Sequence, residues 1–496
     1  MRVLAALCVV LGASLARGAE DKDDWYIVEM MGQRAGWMHN TTATRDGKVT
    51  SASKMQIEVG RGTLQLQVSM ESTFIETVEG KPVSMTAVKK MASSPVTEKY
   101  TFNDDGSISY NSEQGASHRT SVLPKPEGVW LPPAAMERFV VQRFKSGAKE
   151  IEVRTIDPTE GVTPVTVKRT GFEKTTLTVE GRKLDATKIK VETLIPQGEK
   201  KSMVVPSTEY VDDDGDLIQS DTSVGGMVIK TIVSTRAKAL ESAPAPEIMV
   251  STFIKPDRTI HDPRATKKLV IVASVPEGEF PDLPQTGFQK VEPLGPRSAR
   301  VTISTEHPEP APAADAQNPT YLAATSMANI DDPKIKELAK EAVKDAGNDA
   351  AAKAEACRRF VNQYIKTKGL DVGFATASEV ARNREGDCTE HGVFLTALLR
   401  ANGIPARAVT GLLYAEEFAG GHDIFGYHMW AQALLTIDGK PRWVDLDGTF
   451  PPGMRFDATH IALSTTDLAD GDATSGLAEL APLMGRLAIK IESVGE

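Results

Sequence analysis

The sequence predicts an α+β protein, with an N-terminal antiparallel β region followed by a domain of mixed helices and strands. Three observations carry this. Residues 24–240 alternate apolar and polar side chains in short runs, broken by Asp46-Gly47, Asp105-Gly106 and Asp214-Gly215, as strands joined by tight turns do. Beyond about residue 320 the apolar spacing changes to three and four, the period of amphipathic helices. Between the two lies Glu306–Pro319 (EHPEPAPAADAQNP), whose proline and alanine content reads as a semi-extended spacer and places the main domain boundary. The 496 residues are 41% hydrophobic and 25% charged, which excludes a disordered or disulfide-dense chain. A net charge of −10 with no strongly basic domain argues against a nucleic-acid partner.

Taken in order, residues 1–19 read as a signal peptide. Arg2 gives a positive start, Val3–Leu15 an apolar run, and small residues follow. That run is well short of the ~20 residues that span a bilayer, so no stable membrane span is expected. The mature protein is expected to be periplasmic or secreted. Cys8 falls within this segment, which leaves Cys357 and Cys388. Two cysteines in so long an exported chain do not make a disulfide framework: they pair, or one is kept for chemistry.

Residues 20–242 are expected to form the antiparallel β domain, with strands at Trp25–Met30, Met55–Val59, Val83–Lys89, Thr187–Leu194 and Met227–Val233 among others, and one helix at Pro132–Phe144. The pattern loosely resembles the half-open β wraps of bacterial envelope carriers. Asp212-Asp213-Asp214-Gly215-Asp216 suggests calcium, but aligning Gly215 to the required glycine of an EF-hand loop puts Tyr210 at the first ligand position. An acidic hairpin turn is expected instead. Residues 243–305 read as a smaller β segment.

In residues 320–496 a first helix starts at Asp332-Pro333 and a second runs from about Asp349 to Lys368, burying Cys357. A third begins near Cys388. Strands follow at Ala406–Ala415, Tyr427–Ile437, Arg442–Asp447 and Leu487–Ser493, with Asp438-Gly439 turning a hairpin.

A cysteine at a helix start meets free backbone N–H groups and a partial positive charge, and both favour the nucleophilic thiolate. It needs a base, and His428 lies on the strand after it. The hairpin partner offers Asp445 and Asp447. A two-residue turn pairs Ile437 with Lys440 and sets Asp447 opposite Trp430, diagonal to His428, with Asp445 farther off. Cys388, His428 and Asp447 would then be nucleophile, base and orienter. His391 is expected to be packed, Trp430 to wall the cleft, and Gly420–Asp423 to be a mobile lip. A metal shared by His422 and His428 has no further ligand cluster behind it, so no metal and no cofactor are expected.

Four motifs, Gly386–His391 (GDCTEH), Leu398–Arg407 (LLRANGIPAR), His428-Met429-Trp430 and Trp443–Thr449 (WVDLDGT), together resemble the transglutaminase-like superfamily over about residues 320–496. The resemblance implies a papain-related fold, a Cys-His-Asp triad and a protein or peptide substrate, and it puts the acid four residues after Trp443, at Asp447. Gly448 departs from the proline usual in that family. The expected function is an exported cysteine enzyme acting on an amide by hydrolysis, deamidation or transamidation. The alternative is a non-catalytic envelope scaffold whose β domain holds a lipid, peptide or protein partner.

Overall fold

The computed structural model describes residues 21–495 apart from 62–63, 91–94, 115–116, 160, 198–200, 225–226, 248, 307, 370–374 and 470–482. The expected signal peptide lies outside the described residues. The described chain is mostly β. Apart from residues 60–64 it divides into two compact units, residues up to 246 and residues from 247 onward.

Among the described residues the first unit is one fourteen-stranded sheet. From the edge strand Ser117–Leu123 the order runs back through the sequence to Lys22–Met30. That strand pairs on its other side with Met227–Ser234, from which the order runs back again to the far edge, Glu150–Ile156. Alternate residues such as Tyr26, Val28 and Met30, or Met55, Ile57 and Val59, are buried, as period 2 demands of a half-buried sheet. Pro133–Lys145 is the one long helix here, with proline at its start. Its orphan N–H groups at Ala134 and Ala135 donate to the buried Glu76 carboxylate at 3.0 and 2.8 Å. The acidic run forms a hairpin turn: Asp212 accepts from the Gly215 and Asp216 N–H groups at 2.8 Å, and Lys145 and Lys22 pair with Asp214 and Asp216. Deeper in the sheet Arg169 meets Glu209 through two hydrogen bonds of 3.0 and 3.1 Å, both side chains buried.

The second unit has two four-stranded sheets among the described residues. One orders Gln289–Gly295, Ser298–Ser304, Lys268–Ser274 and Ala488–Gly495, so a strand from the 243–305 region pairs with one from the far end of the unit. The other orders Lys440–Leu446, Gly421–Ile437, Ala406–Phe418 and His460–Thr466. Helices Pro333–Val343, Ala350–Tyr364 and Ala377–Asn383 pack around Cys388–Ala401, which is buried at every position from Glu390 to Arg400. Leu412, Tyr414 and Phe425 join the second sheet to the first through a shared apolar core with Ile271, Ile303 and Ile491.

The second helix stops at Tyr364, earlier than its periodicity predicts. Beyond it the Lys366 N–H donates to the Arg384 carbonyl at 2.8 Å, and Thr367 bridges Glu385. The chain leaves the helix to brace the segment that enters Cys388. Ala419-Gly420 forms the tip of a hairpin between Ala406–Phe418 and Gly421–Ile437, so Gly420–Asp423 runs from the turn into the second strand. Residues 308–319 lie along the second unit: Pro310 bridges Arg442, and Trp443 Nε1 donates to Asp315 at 2.8 Å.

Candidate active site

The approach to Cys388 is set by two carboxylates. Asp387 caps the helix, accepting from the Thr389 N–H at 2.8 Å. Glu390 reaches back to accept from the Asp387 N–H at 2.9 Å, completing a capping box, and also accepts from the Ala375 N–H at 2.9 Å. Burial in first place, and the neighbouring Asp387 charge, push the Glu390 carboxyl up to about 8. Cys388 is the first helical residue and its thiol is half-buried.

His428 Nε2 lies 2.8 Å from Asp447 Oδ2, which leaves Nδ1 for the Cys388 thiol, and His428 and Cys388 line one cavity. Burial works to lower the pKa of this imidazole. The Asp447 charge, its hydrogen bond and Cys388 outweigh that and raise it to about 9. Asp447 is 1% exposed. Its Oδ1 accepts from the N–H and hydroxyl of Thr449 at 2.7 Å each, and its Oδ2 also meets His460 Nε2 at 3.2 Å. Burial would raise its pKa, but the two imidazoles hold it well below the carboxylate range.

The hairpin register pairs Ile437 with Lys440 and Gln432 with Asp445 through a turn with positive φ at Asp438 and Gly439. That register separates the two candidate acids. Asp445 accepts from Trp430 Nε1 at 2.7 Å, Gln432 Nε2 at 2.8 Å and the Phe288 N–H at 3.0 Å, so it anchors the sheet. Asp447 is left for His428.

His460 is the residue that sequence reasoning missed. It is buried, and its Nδ1 contacts the Asp457 carbonyl at 3.0 Å while the Phe456 ring stacks on it at 4.0 Å. Burial lowers its pKa, but Asp457 and Asp447 raise it to about 9. A signal existed: Asp-x-Thr recurs at 447–449 and 457–459, and in both turns the carboxylate accepts from the Thr N–H and hydroxyl.

The remaining candidates take other places. Cys357 is buried and unpaired, its thiol pushed up to about 12 by burial, so the two cysteines form no disulfide. His391 is 1% exposed and its Nδ1 contacts the Asp387 carbonyl at 2.6 Å. That contact makes Nδ1 the protonated nitrogen, and burial lowers the ring's pKa. Arg407 stacks on Trp443 at 4.0 Å, and Arg400 ties Ala406 and Asp467 carbonyls, so the LLRANGIPAR run fixes the helix-to-strand turn. His422 stands six residues from His428 on one strand, about 20 Å at 3.3–3.4 Å per residue, too far to share an ion. The ligand atoms of His428, Asp447 and His460 do lie within 4.8 Å of one another, close enough for a divalent cation.

A cavity of about 290 Å³ opens beside Cys388, with His391, Leu413, Phe418, Ile424 and Tyr427 in its walls. The geometry thus joins a helix-start thiol, an imidazole oriented by a buried carboxylate, and an adjoining space for a ligand.

Two solved structures share remote likeness with parts of the chain. A β-barrel-like protein of a domain of unknown function (DUF1849) from Brucella abortus is 11% identical, covers 44% of this chain and 98% of its own, and has a TM-score of 0.34. A candidate cysteine protease from Cytophaga hutchinsonii is 15% identical, covers 47% and 88%, and has a TM-score of 0.28. At such TM-scores the likeness carries no functional information. No curated protein matches the chain. Residues 336–448, which run from the first helix of the second unit through the Cys388 helix and the His428 strand to Asp447, match the family model described as the Transglutaminase-like superfamily, so this segment is transglutaminase-like.

Proposed function

We propose that the second unit is a cysteine acyl-transfer enzyme that acts on an amide through Cys388, His428 and Asp447, in a protein exported to the periplasm or beyond. One observation carries this reading: His428, whose Nε2 lies 2.8 Å from the Asp447 carboxylate, lines the same cavity as the Cys388 thiol.

With Nε2 on Asp447, Nδ1 exchanges a proton with the thiol. A protonated ring beside the sulfur offers a partner for the negative charge of the attacking nucleophile. The sulfur attacks the amide carbon, the C–S bond forms and the carbonyl electrons move to oxygen. The Cys388 N–H, at the first position of its helix, has no acceptor within the helix and can donate to that oxygen. When the intermediate collapses, the C–N bond breaks and the Nδ1 proton goes to the leaving amine, giving a thioester. Water, losing a proton to His428, then attacks the thioester and restores the thiolate. An amine acceptor in place of water gives transamidation. Asp447 holds the ring orientation and stabilises its charged form. No cofactor enters any step.

The test is iodoacetamide labelling of the mature protein from pH 5 to 9, with Cys388→Ala and His428→Ala in parallel. Labelling at Cys388 that persists below pH 7 and weakens in His428→Ala is expected. Labelling that rises only above pH 8 and ignores the histidine would leave the scaffold alternative in front.

A further inference from the structure

One wall of the cavity beside Cys388 is apolar, while Lys368, Asp387 and Thr449 also border the space. Leu413, Ala415, Phe418 and Ile424 come from the two arms of a single hairpin, Ala406–Phe418 and Gly421–Ile437. None of these four side chains can hydrogen-bond a ligand. A carboxylate, ammonium or carboxamide placed against them loses its water and gains nothing, whereas an apolar side chain gains the burial of its surface. At about 290 Å³ the space is at the small end of ligand pockets, suited to one large side chain.

His391 lies three residues after Cys388, on the same helix face, and its buried Nε2 stands without a partner among the described residues. His391 Nδ1 is protonated toward the Asp387 carbonyl, so this Nε2 is an acceptor. Tyr427 pairs with Leu412 and packs into the core on the opposite face of the sheet from His428, so its hydroxyl takes no part in the subsite.

Building on the reading of Cys388 as nucleophile, we infer that this cavity is the subsite for a large apolar side chain on the acyl side of a peptide substrate. The preferred substrate is then a peptide with a leucine- or phenylalanine-like residue there, rather than one with glutamine.

Chloromethyl ketones of N-acetylated amino acids test this, because Sγ displaces chloride and forms a C–S bond faster when the side chain seats. The mature protein is treated with the Leu, Phe, Gln, Asp and Lys derivatives and with decanoyl chloromethyl ketone, each rate divided by the iodoacetamide rate of the same sample. Leu and Phe are expected to react roughly tenfold or more faster than Gln, Asp and Lys. Ala415→Phe, which fills the cavity, should bring these ratios close to one. Equal ratios in the unaltered protein, a preference for Gln, or a decanoyl probe that beats every amino-acid probe would each overturn the inference. Loss of the His428 dependence of iodoacetamide labelling would instead strike the nucleophile reading, so the two failures are distinguishable.

Discussion

Asp447 accepts hydrogen bonds on both oxygens, from Thr449 on one side and from two imidazoles on the other. A carboxylate so held cannot turn, and that fixes the plane of His428. The second imidazole, His460, acts through Asp447, as a positioning residue. Removing one hydrogen bond to a charged group costs about 1.5–3 kcal/mol, so His460→Phe should slow the Cys388 reaction roughly ten- to a hundredfold. His460→Gln, which keeps a donor toward Asp447, should recover most of that rate. Equal losses in both variants would show that His460 only fills space. The imidazoles also set a pH dependence. Both are raised to about 9 when folded, from an ordinary 6.5. Their stabilisation is complete below pH 6.5 and is lost as pH rises toward 9. The melting temperature of the second unit should fall across that window, and His460→Phe should flatten the fall. A melting temperature that is constant or rises from pH 6.5 to 9 would contradict the raised values.

At the scale of elements, the site depends on how the chain enters one buried helix. Gly386 has φ +153°, and a Cβ there would lie 2.2 Å from Glu390 Cβ. Gly386→Ala should therefore displace Glu390, undo the capping box and move Cys388. Overpacking of this kind costs about 1–3 kcal/mol, so the variant should fold with a lower melting temperature and lose thiol reactivity. Glu390→Gln, which keeps the length and an acceptor oxygen, should be the milder change in both assays. Much of this region was legible in sequence. Asp-Cys-Thr-Glu is a capping-box pattern, and Asp438-Gly439 encodes a turn whose register decides between Asp445 and Asp447. These signals are local. Ala377–Asn383 carries its own capping box at Thr376 and Glu379 but is too short for periodicity to mark it. His460 was hidden because nothing local encodes that it meets Asp447, which lies across a loop from it. The early end of the second helix was hidden as well, since the competing partner of residues 366–367 is the strand-like segment before Cys388.

At the scale of the molecule, alternation revealed strands without revealing their partners. Residues 243–305 read as a β segment and Leu487–Ser493 as a strand, yet nothing near either encodes that Lys268–Ser274 and Ala488–Gly495 pair. The proline- and alanine-rich stretch reads locally as a spacer, while its anchors, Arg442 and Trp443, lie far along the chain. We expect a fragment starting at residue 247 to be soluble and to melt cooperatively. One starting at residue 320 loses Lys268–Ser274 and Ser298–Ser304, which uncovers Leu412, Tyr414 and Phe425, and it should aggregate. Equal solubility of the two would show that the first sheet is dispensable to the Cys388 region. The pairing of Ala488–Gly495 with Lys268–Ser274 also has a consequence in time. Synthesis runs from the N-terminus at ~5–20 residues per second, and the strand comes about 100 residues after Cys388. For several seconds each newborn chain therefore carries its thiol while the first sheet still lacks an edge strand, and the unit is completed late in the life of the chain.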